Sequence, residues 1–151
     1  MFNSAILSKL SFKRPGFTGC PAWKMPFLLL AIGLGTGLLP ASGTAGALLG
    51  IPVALALPWL GLSSAWSQAA ACLALALLAV PLCGMAERHY GRKDDGRIVA
   101  DEYLTFPIAM LGLTHAPVVF AVAFLTSRLF DIVKPPPARQ LQALRGGLGI
   151  V

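Results

Sequence analysis

Residues 25–86 read MPFLLLAIGLGTGLLPASGTAGALLGIPVALALPWLGLSSAWSQAAACLALALLAVPLCGMA, without one Asp, Glu, Lys or Arg. A hydrocarbon core about 30 Å thick takes roughly 20 apolar residues of helix, so this stretch holds two or three membrane segments. The first apolar run, 25–39, is short, carries Gly33, Gly35 and Gly37, and ends in Pro40-Ala41-Ser42-Gly43. The runs 45–62, with Pro52 and Pro58, and 65–86, with Pro81, follow it. Reading the first run as a cleaved leader meets an overlong polar segment ahead of it and a badly placed Pro40.

The rest of the composition agrees. Hydrophobic residues make up 56% of the 151, charged residues 12%, and the mean hydropathy is +0.75. Soluble domains carry about 25% charged residues, so a soluble globule is excluded, and so much apolar surface excludes disorder. Four bases, Lys9, Lys13, Arg14 and Lys24, precede the first acid, Glu87. The other acids stand at 94, 95, 101, 102 and 131, and 103–127 is a second uncharged stretch. Lys and Arg concentrate in cytoplasmic segments of membrane proteins, so the net charge of +6 places 1–25, 87–102 and 128–145 on the cytoplasmic side. Nucleic-acid binding is excluded, because no basic helix or aromatic–basic module is visible. Cys72 and Cys83 read as buried free thiols, and with Cys20 they form no disulfide or metal framework.

Parity then fixes the path. Two cytoplasmic ends require an even number of crossings, so 25–39 is expected to be re-entrant or broken, 45–62 to cross and 65–86 to return. The second uncharged stretch, broken at Leu113-Thr114-His115-Ala116-Pro117, is expected to form a helical hairpin of 98–113 and 117–133, with Pro117 in the first turn. The expected fold is all-α: a polytopic integral membrane helical bundle with short, Gly/Pro-broken helices. Residues 1–24 form a basic cytoplasmic arm and 25–151 a membrane-embedded domain.

The hairpin brings two charged groups to one membrane face. In Asp94-Asp95-Gly96-Arg97-Ile98-Val99-Ala100-Asp101-Glu102, either Asp94 or Asp95 is expected to cap the helix, with Asp101 two turns beyond Asp94 on the same face. Clustered carboxylates running into apolar sequence suit a hard divalent cation such as Mg²⁺, although Asp95 reads better as a solvated loop acid. In Arg128-Leu129-Phe130-Asp131-Ile132-Val133-Lys134-Pro135, Arg128 and Asp131 are helical neighbours. Arg128 and Lys134 suit phosphate, or form a stop-transfer flank with an intrahelical ion pair. Gly33/Gly37 and Gly46/Gly50 fit close helix packing. His89 is expected to be solvated and His115 to sit in the far turn. The stretch Asp94–Arg97 starts like a lipid phosphatidyltransferase signature but lacks that signature's later glycine and paired acids.

The glycine segment Gly35–Gly46, the Asp94–Glu102 segment and the run Arg128–Pro137, in this order, resemble the three motifs of the phosphatidylglycerophosphatase A family across residues 25–151. The resemblance implies a Mg²⁺-dependent phosphatase of the bacterial inner membrane. Such an enzyme removes the terminal phosphate of phosphatidylglycerophosphate to give phosphatidylglycerol in phospholipid biosynthesis. On that basis Asp94, Asp101, Glu102 and Asp131 are the expected metal ligands and catalytic acids, activating water or forming a phospho-aspartyl group. Arg128, Lys134, Gly43 and Thr44 are expected to hold the substrate phosphate. In the family a Gly-Gly-x-Gly-Ile segment leads into paired Asp residues and a last membrane helix. Here Arg145-Gly146-Gly147-Leu148-Gly149-Ile150-Val151 reaches that point, so the resemblance implies a C-terminally incomplete domain. The competing class is a non-enzymatic small membrane protein, a transporter subunit or assembly factor, whose charges only set topology.

Overall fold

The structure is a computed structural model that describes residues 16–17, 19–93, 95–133, 136, 140, 146–149 and 151. Most of the basic arm, together with Asp94 and Lys134, therefore lies outside the described residues. Those described are all-α, with no strand among them. Helix α1 (Met25–Ala31) follows a single 3₁₀ turn at Ala22–Lys24, and a 3₁₀ segment (Gly33–Leu38) follows α1. Then come α2 (Ser42–Trp59), α3 (Ala65–Tyr90), α4 (Ala100–Ala109), α5 (Pro117–Val133) and a 3₁₀ turn at Gly146–Gly149.

The expected break in 25–39 is present. Helix α1 ends at Ala31, and Gly33, Leu34 and Gly35 all take positive φ. Thr36 Oγ1 donates to the Gly33 carbonyl at 2.9 Å, closing that turn. Gly37 is needed for a different reason: a Cβ there would stand 2.0 Å from the Arg97 carbonyl oxygen. The turn lies directly on the 95–99 loop, and the Val99 N–H donates to the Ala31 carbonyl at 2.9 Å.

Helices α2 and α3 are long and apolar enough to cross a membrane. Only 33% and 28% of their most apolar windows are buried. The core helix of a soluble protein would be mostly covered, whereas these present uncovered apolar faces, including Leu48, Leu55, Leu73 and Leu77. Trp59 and Trp66, 90% and 87% exposed, flank the turn between them, where amphipathic rings suit a membrane–water interface. Ser64 caps α3 by accepting from the Ser67 N–H, and Gly91, in the left-handed region at φ 65°, ends it.

Helix α4 is the centre of the packing. It lies against both α2 and α3 and buries Ala100, Tyr103, Leu104, Phe106 and Pro107. Its ten residues rise only about 15 Å, half of a hydrocarbon core, so the helix expected over 98–113 is too short to cross. The chain on both sides is spent in turns: residues 95–98 form one before α4, and Leu113 N–H to Met110 closes another after it. The hairpin itself is present, with Pro117 at the first position of α5.

Gly37→Ala is expected to be strongly destabilising, because its neighbour is rigid backbone. A loss of several degrees in thermal midpoint, measured in detergent against the unsubstituted chain, checks it.

Candidate functional site

The 95–99 loop departs from expectation. Neither Asp94 nor Asp95 caps α4, because the helix begins at Ala100, with Val99 at the cap position and no side-chain cap bond. The helix begins only at Ala100, and Asp94, expected to share a face with Asp101, lies outside the described residues. Nor is Asp95 a solvated loop acid. It is buried, and its Oδ1 accepts from the Arg97 N–H at 3.0 Å and from Nε at 2.8 Å, while Oδ2 accepts from Nη2 at 2.9 Å. This is an Asx turn reinforced by a two-pronged ion pair. The Arg97 guanidinium also stacks on the Tyr90 ring at 3.8 Å. Ser42 Oγ, in the first turn of α2, donates to the Gly96 carbonyl at 2.5 Å and ties the loop to α2. His89 is half-buried, with its Nε2 3.0 Å from the Gly16 carbonyl. His115 is exposed in the far turn, as expected, and Cys72 and Cys83 are buried free thiols.

With the loop so fixed, the start of α4 faces the end of α5. Asp101 and Glu102 occupy the first turn of α4, where the helix dipole favours negative charge. Arg128 Nη1 lies 3.4 Å from Glu102 Oε1, and its Nη2 lies 3.0 Å from Asp131 Oδ2. The Arg128 and Glu102 side chains are 18% and 17% exposed, against 43% for Asp131. The Glu102–Arg128 contact is thus the more desolvated, and Asp131 steadies the guanidinium from the solvent side. A cavity of about 390 Å³ is lined by Asp101, Glu102, Thr105, Ser127, Arg128 and Asp131, among others. The structure therefore brings four of the expected residues together across 26 to 30 positions of sequence.

Gly43 joins them. A Cβ there would stand 2.7 Å from both Arg128 Nη2 and Glu102 Oε1, so the bare glycine leaves room for the pair. Thr44 does not join them. It is exposed, and among the described residues that line the cavity it is absent. One residue onward is about 100° around the helix, which carries its side chain off the α4-facing side.

Gly46, expected from its spacing to Gly50 to allow close helix packing, does so at the site, and two further contributors, Thr105 and Ser127, were not anticipated from sequence. Gly46 lets α2 approach α4 so closely that a Cβ would meet Glu102 Oε2 and Val99 Cβ, both at 2.7 Å. Its spacing from Gly43 and Gly50 along one helical face was the available signal. Thr105 Oγ1 donates to the Asp101 carbonyl one turn back, and Ser127 Oγ to the Phe124 carbonyl at 2.9 Å. Their placement beside Asp101 and Arg128 follows from the helical period alone. Among the described residues, no three Asp, Glu, His or Cys side chains converge as a metal cluster.

These motifs coincide with a family. A family model described as Phosphatidylglycerophosphatase A matches residues 29–151. The chain belongs to the phosphatidylglycerophosphatase A family. An Escherichia coli protein named Phosphatidylglycerophosphatase A is 35% identical over 132 residues, covering 83% of this chain and 73% of that one. A Haemophilus influenzae protein of the same name is 36% identical over 130 residues, covering 83% and 78%. A Bacteroides thetaiotaomicron protein with the provisional name phosphatidylinositol-3-phosphatase is 32% identical over 145 residues, covering 92% and 86%. No solved structure matches the chain. In this phosphatidylglycerophosphatase A family member the first motif supplies the close approach of α2 to the 97–102 segment. The second supplies the loop and the two acids, and the third supplies Arg128 and Asp131.

Two outcomes follow for the loop and the glycine. Hydrogen bonds from Arg97, more than burial, set the direction of the Asp95 shift and hold its carboxyl below the ordinary aspartate range. A depressed native pKa adds stability above the unfolded value of about 3.9 that is lost as pH falls through the native value. Stability should therefore drop below about pH 4, and Asp95→Asn should flatten that acid limb and cost about 1.5–3 kcal/mol at neutral pH, measured by denaturation across pH. Gly43→Ala meets only flexible side-chain ends, so it should shift the thermal midpoint little yet displace Arg128 and lower turnover about tenfold (roughly 1.4 kcal/mol), read in paired stability and activity assays.

Proposed function

We propose that this chain is a multi-pass protein of the bacterial inner membrane that hydrolyses phosphatidylglycerophosphate to phosphatidylglycerol and phosphate, with its site at the cytoplasmic headgroup level. Family membership supports the reaction, and the observation that carries the site is the Glu102–Arg128–Asp131 constellation. In the sequence it falls where an uncharged hairpin gives way to a charged segment, and a lipid's phosphate is proposed to sit at that level. The third relative's name points to a different phospholipid phosphomonoester, and the shared chemistry is a phosphate ester at the end of a membrane lipid.

Arg128 offers planar, paired donors to phosphate oxygens. Glu102 and Asp131 hold that guanidinium from two sides before substrate arrives, so its orientation need not be found during the reaction. The bare Gly43 backbone borders the same space. Asp101 and Glu102 present hard oxygen donors to one cavity. Mg²⁺ commonly uses one or two carboxylates together with substrate phosphate and water, so this donor set fits it. When bound, Mg²⁺ would lower the pKa of an attacking water and neutralise charge on the phosphoryl oxygens. Asp101, which lines the same cavity, is proposed to accept a proton from the attacking water. Asp94 and Lys134, at the outer ends of the two charged segments, are proposed to complete the ligand and phosphate sets.

Asp101→Asn is expected to abolish phosphate release from phosphatidylglycerophosphate in detergent without loss of expression. Arg128→Ala should lower kcat by about 10²–10³-fold, the scale for removing one preorganised donor. Chelator should silence the unsubstituted enzyme and added Mg²⁺ restore it. Full activity of Asp101→Asn would overturn the site assignment, and activity undiminished by chelator would overturn the metal.

A further inference from the structure

The site cavity adjoins a second, apolar space. A groove of about 580 Å³ runs between α4 and α5, lined by Leu113, Val118, Val119, Val122, Thr126 and Phe130, among others. It shares Ala109, Ser127 and Phe130 with the cavity that holds Asp101, Glu102 and Arg128. Ser127 and Thr126 sit at the site end and the aliphatic residues lie beyond them. From Ser127 back to Val118 the helix rises about 14 Å. The groove is open along its side, since Leu113, Val118, Val122 and Phe130 are each about half to two-thirds exposed.

A second apolar groove, of about 550 Å³, lies on the other side of α5. Leu48, Ile51, Leu55, His115, Phe120 and Phe124 border it. Among the described residues, it shares none with the site cavity. The two grooves are alike in size and chemistry, and of the two the α4–α5 groove shares lining residues with the charged site.

We infer that the α4–α5 groove holds an acyl chain of the lipid whose phosphate occupies the Arg128 site, and that the lipid enters sideways from the bilayer through the open flank. This rests on the proposed phospholipid substrate and names the part of the protein that reads its tail. A headgroup at Arg128 leaves the glycerol beside Ser127 and Thr126, where the lining changes from polar to apolar. Burial of methylenes there adds binding at each carbon, so chain length, not headgroup charge alone, sets substrate preference. The groove beyond α5 contacts ordinary lipid.

Two measurements test it. In the unsubstituted protein, a phospholipid with a photoreactive diazirine in its acyl chain should label the segment of Leu113 and Val122 above that of Leu48 and Leu55. Labelling of both in equal measure overturns the proposal, whether or not the protein hydrolyses anything. In the second, Val122→Trp fills the groove from an exposed position, and Ala121→Trp does the same on the opposite flank. Val122→Trp should lower kcat/KM for long-chain phosphatidylglycerophosphate about tenfold relative to a short-chain form, the loss of roughly two methylenes of burial. Ala121→Trp should leave that ratio unchanged. An equal ratio in the two variants, or equal loss on both chain lengths in Val122→Trp, overturns the groove. Absence of phosphate release from either lipid by the unsubstituted chain would instead overturn the phosphatase reading.

Discussion

The close approach of α2 to α4 is the constraint on which the rest depends. At Gly46 and Gly50 the two helices come so near that a Cβ would meet Val99 and Glu102 at one position and the Phe106 side chain, at 2.4 Å, at the other. Apolar burial gives little drive for helix association in lipid, and small residues that allow close packing supply it instead. That approach seats a ten-residue helix between two long ones. The short helix in turn carries Asp101 and Glu102 to a depth where Arg128 meets them. Widening the contact by one methyl group would move the carboxylates before it unfolded the protein.

The loop ahead of α4 serves the same placement from the other side. Asp95 and Arg97 close the turn, Arg97 lies on Tyr90 of α3, Ser42 of α2 holds the Gly96 carbonyl, and Val99 pairs with Ala31 of α1. Three helices thus converge on five residues. A buried ion pair is weak evidence of stability in itself, and here its contribution is to register: it determines which residue begins α4 and hence which face Glu102 presents.

Charge parity and the Pro117 break made the two hairpins legible, and the helical period made Arg128–Asp131 legible. The broken 25–39 run was legible from its glycines. What the sequence concealed lay where local preference and tertiary contact compete. An Asp before an apolar run reads as a helix cap, yet Arg97, two residues on, took Asp95 into a turn and delayed the helix to Ala100. His89 reads as solvated among bases until Gly16, from 73 residues away, provides a carbonyl. Thr44 looked equivalent to Gly43 in the motif, but a rotation of one residue separates them. Pattern gives period and face, whereas a single long-range hydrogen bond decides where an irregular segment stops.

The arrangement also explains why glycines stand where two elements meet. Gly147 packs against α3, where a Cβ would stand 1.8 Å from the Val80 carbonyl oxygen and 3.0 Å from the Gly84 nitrogen. That contact brings Val151 to the wall of the acidic cavity. The same device is therefore used twice: Gly46 and Gly50 press α2 onto α4, and Gly147 and Gly84 press the 146–149 turn onto α3. Each approach removes side-chain volume from the space between elements and leaves backbone against backbone. The enclosed charge then follows from the geometry. Phe106, Ile108 and Phe130 share the cavity wall with the charged groups, and Glu102 and Asp131 hold the Arg128 guanidinium in one orientation.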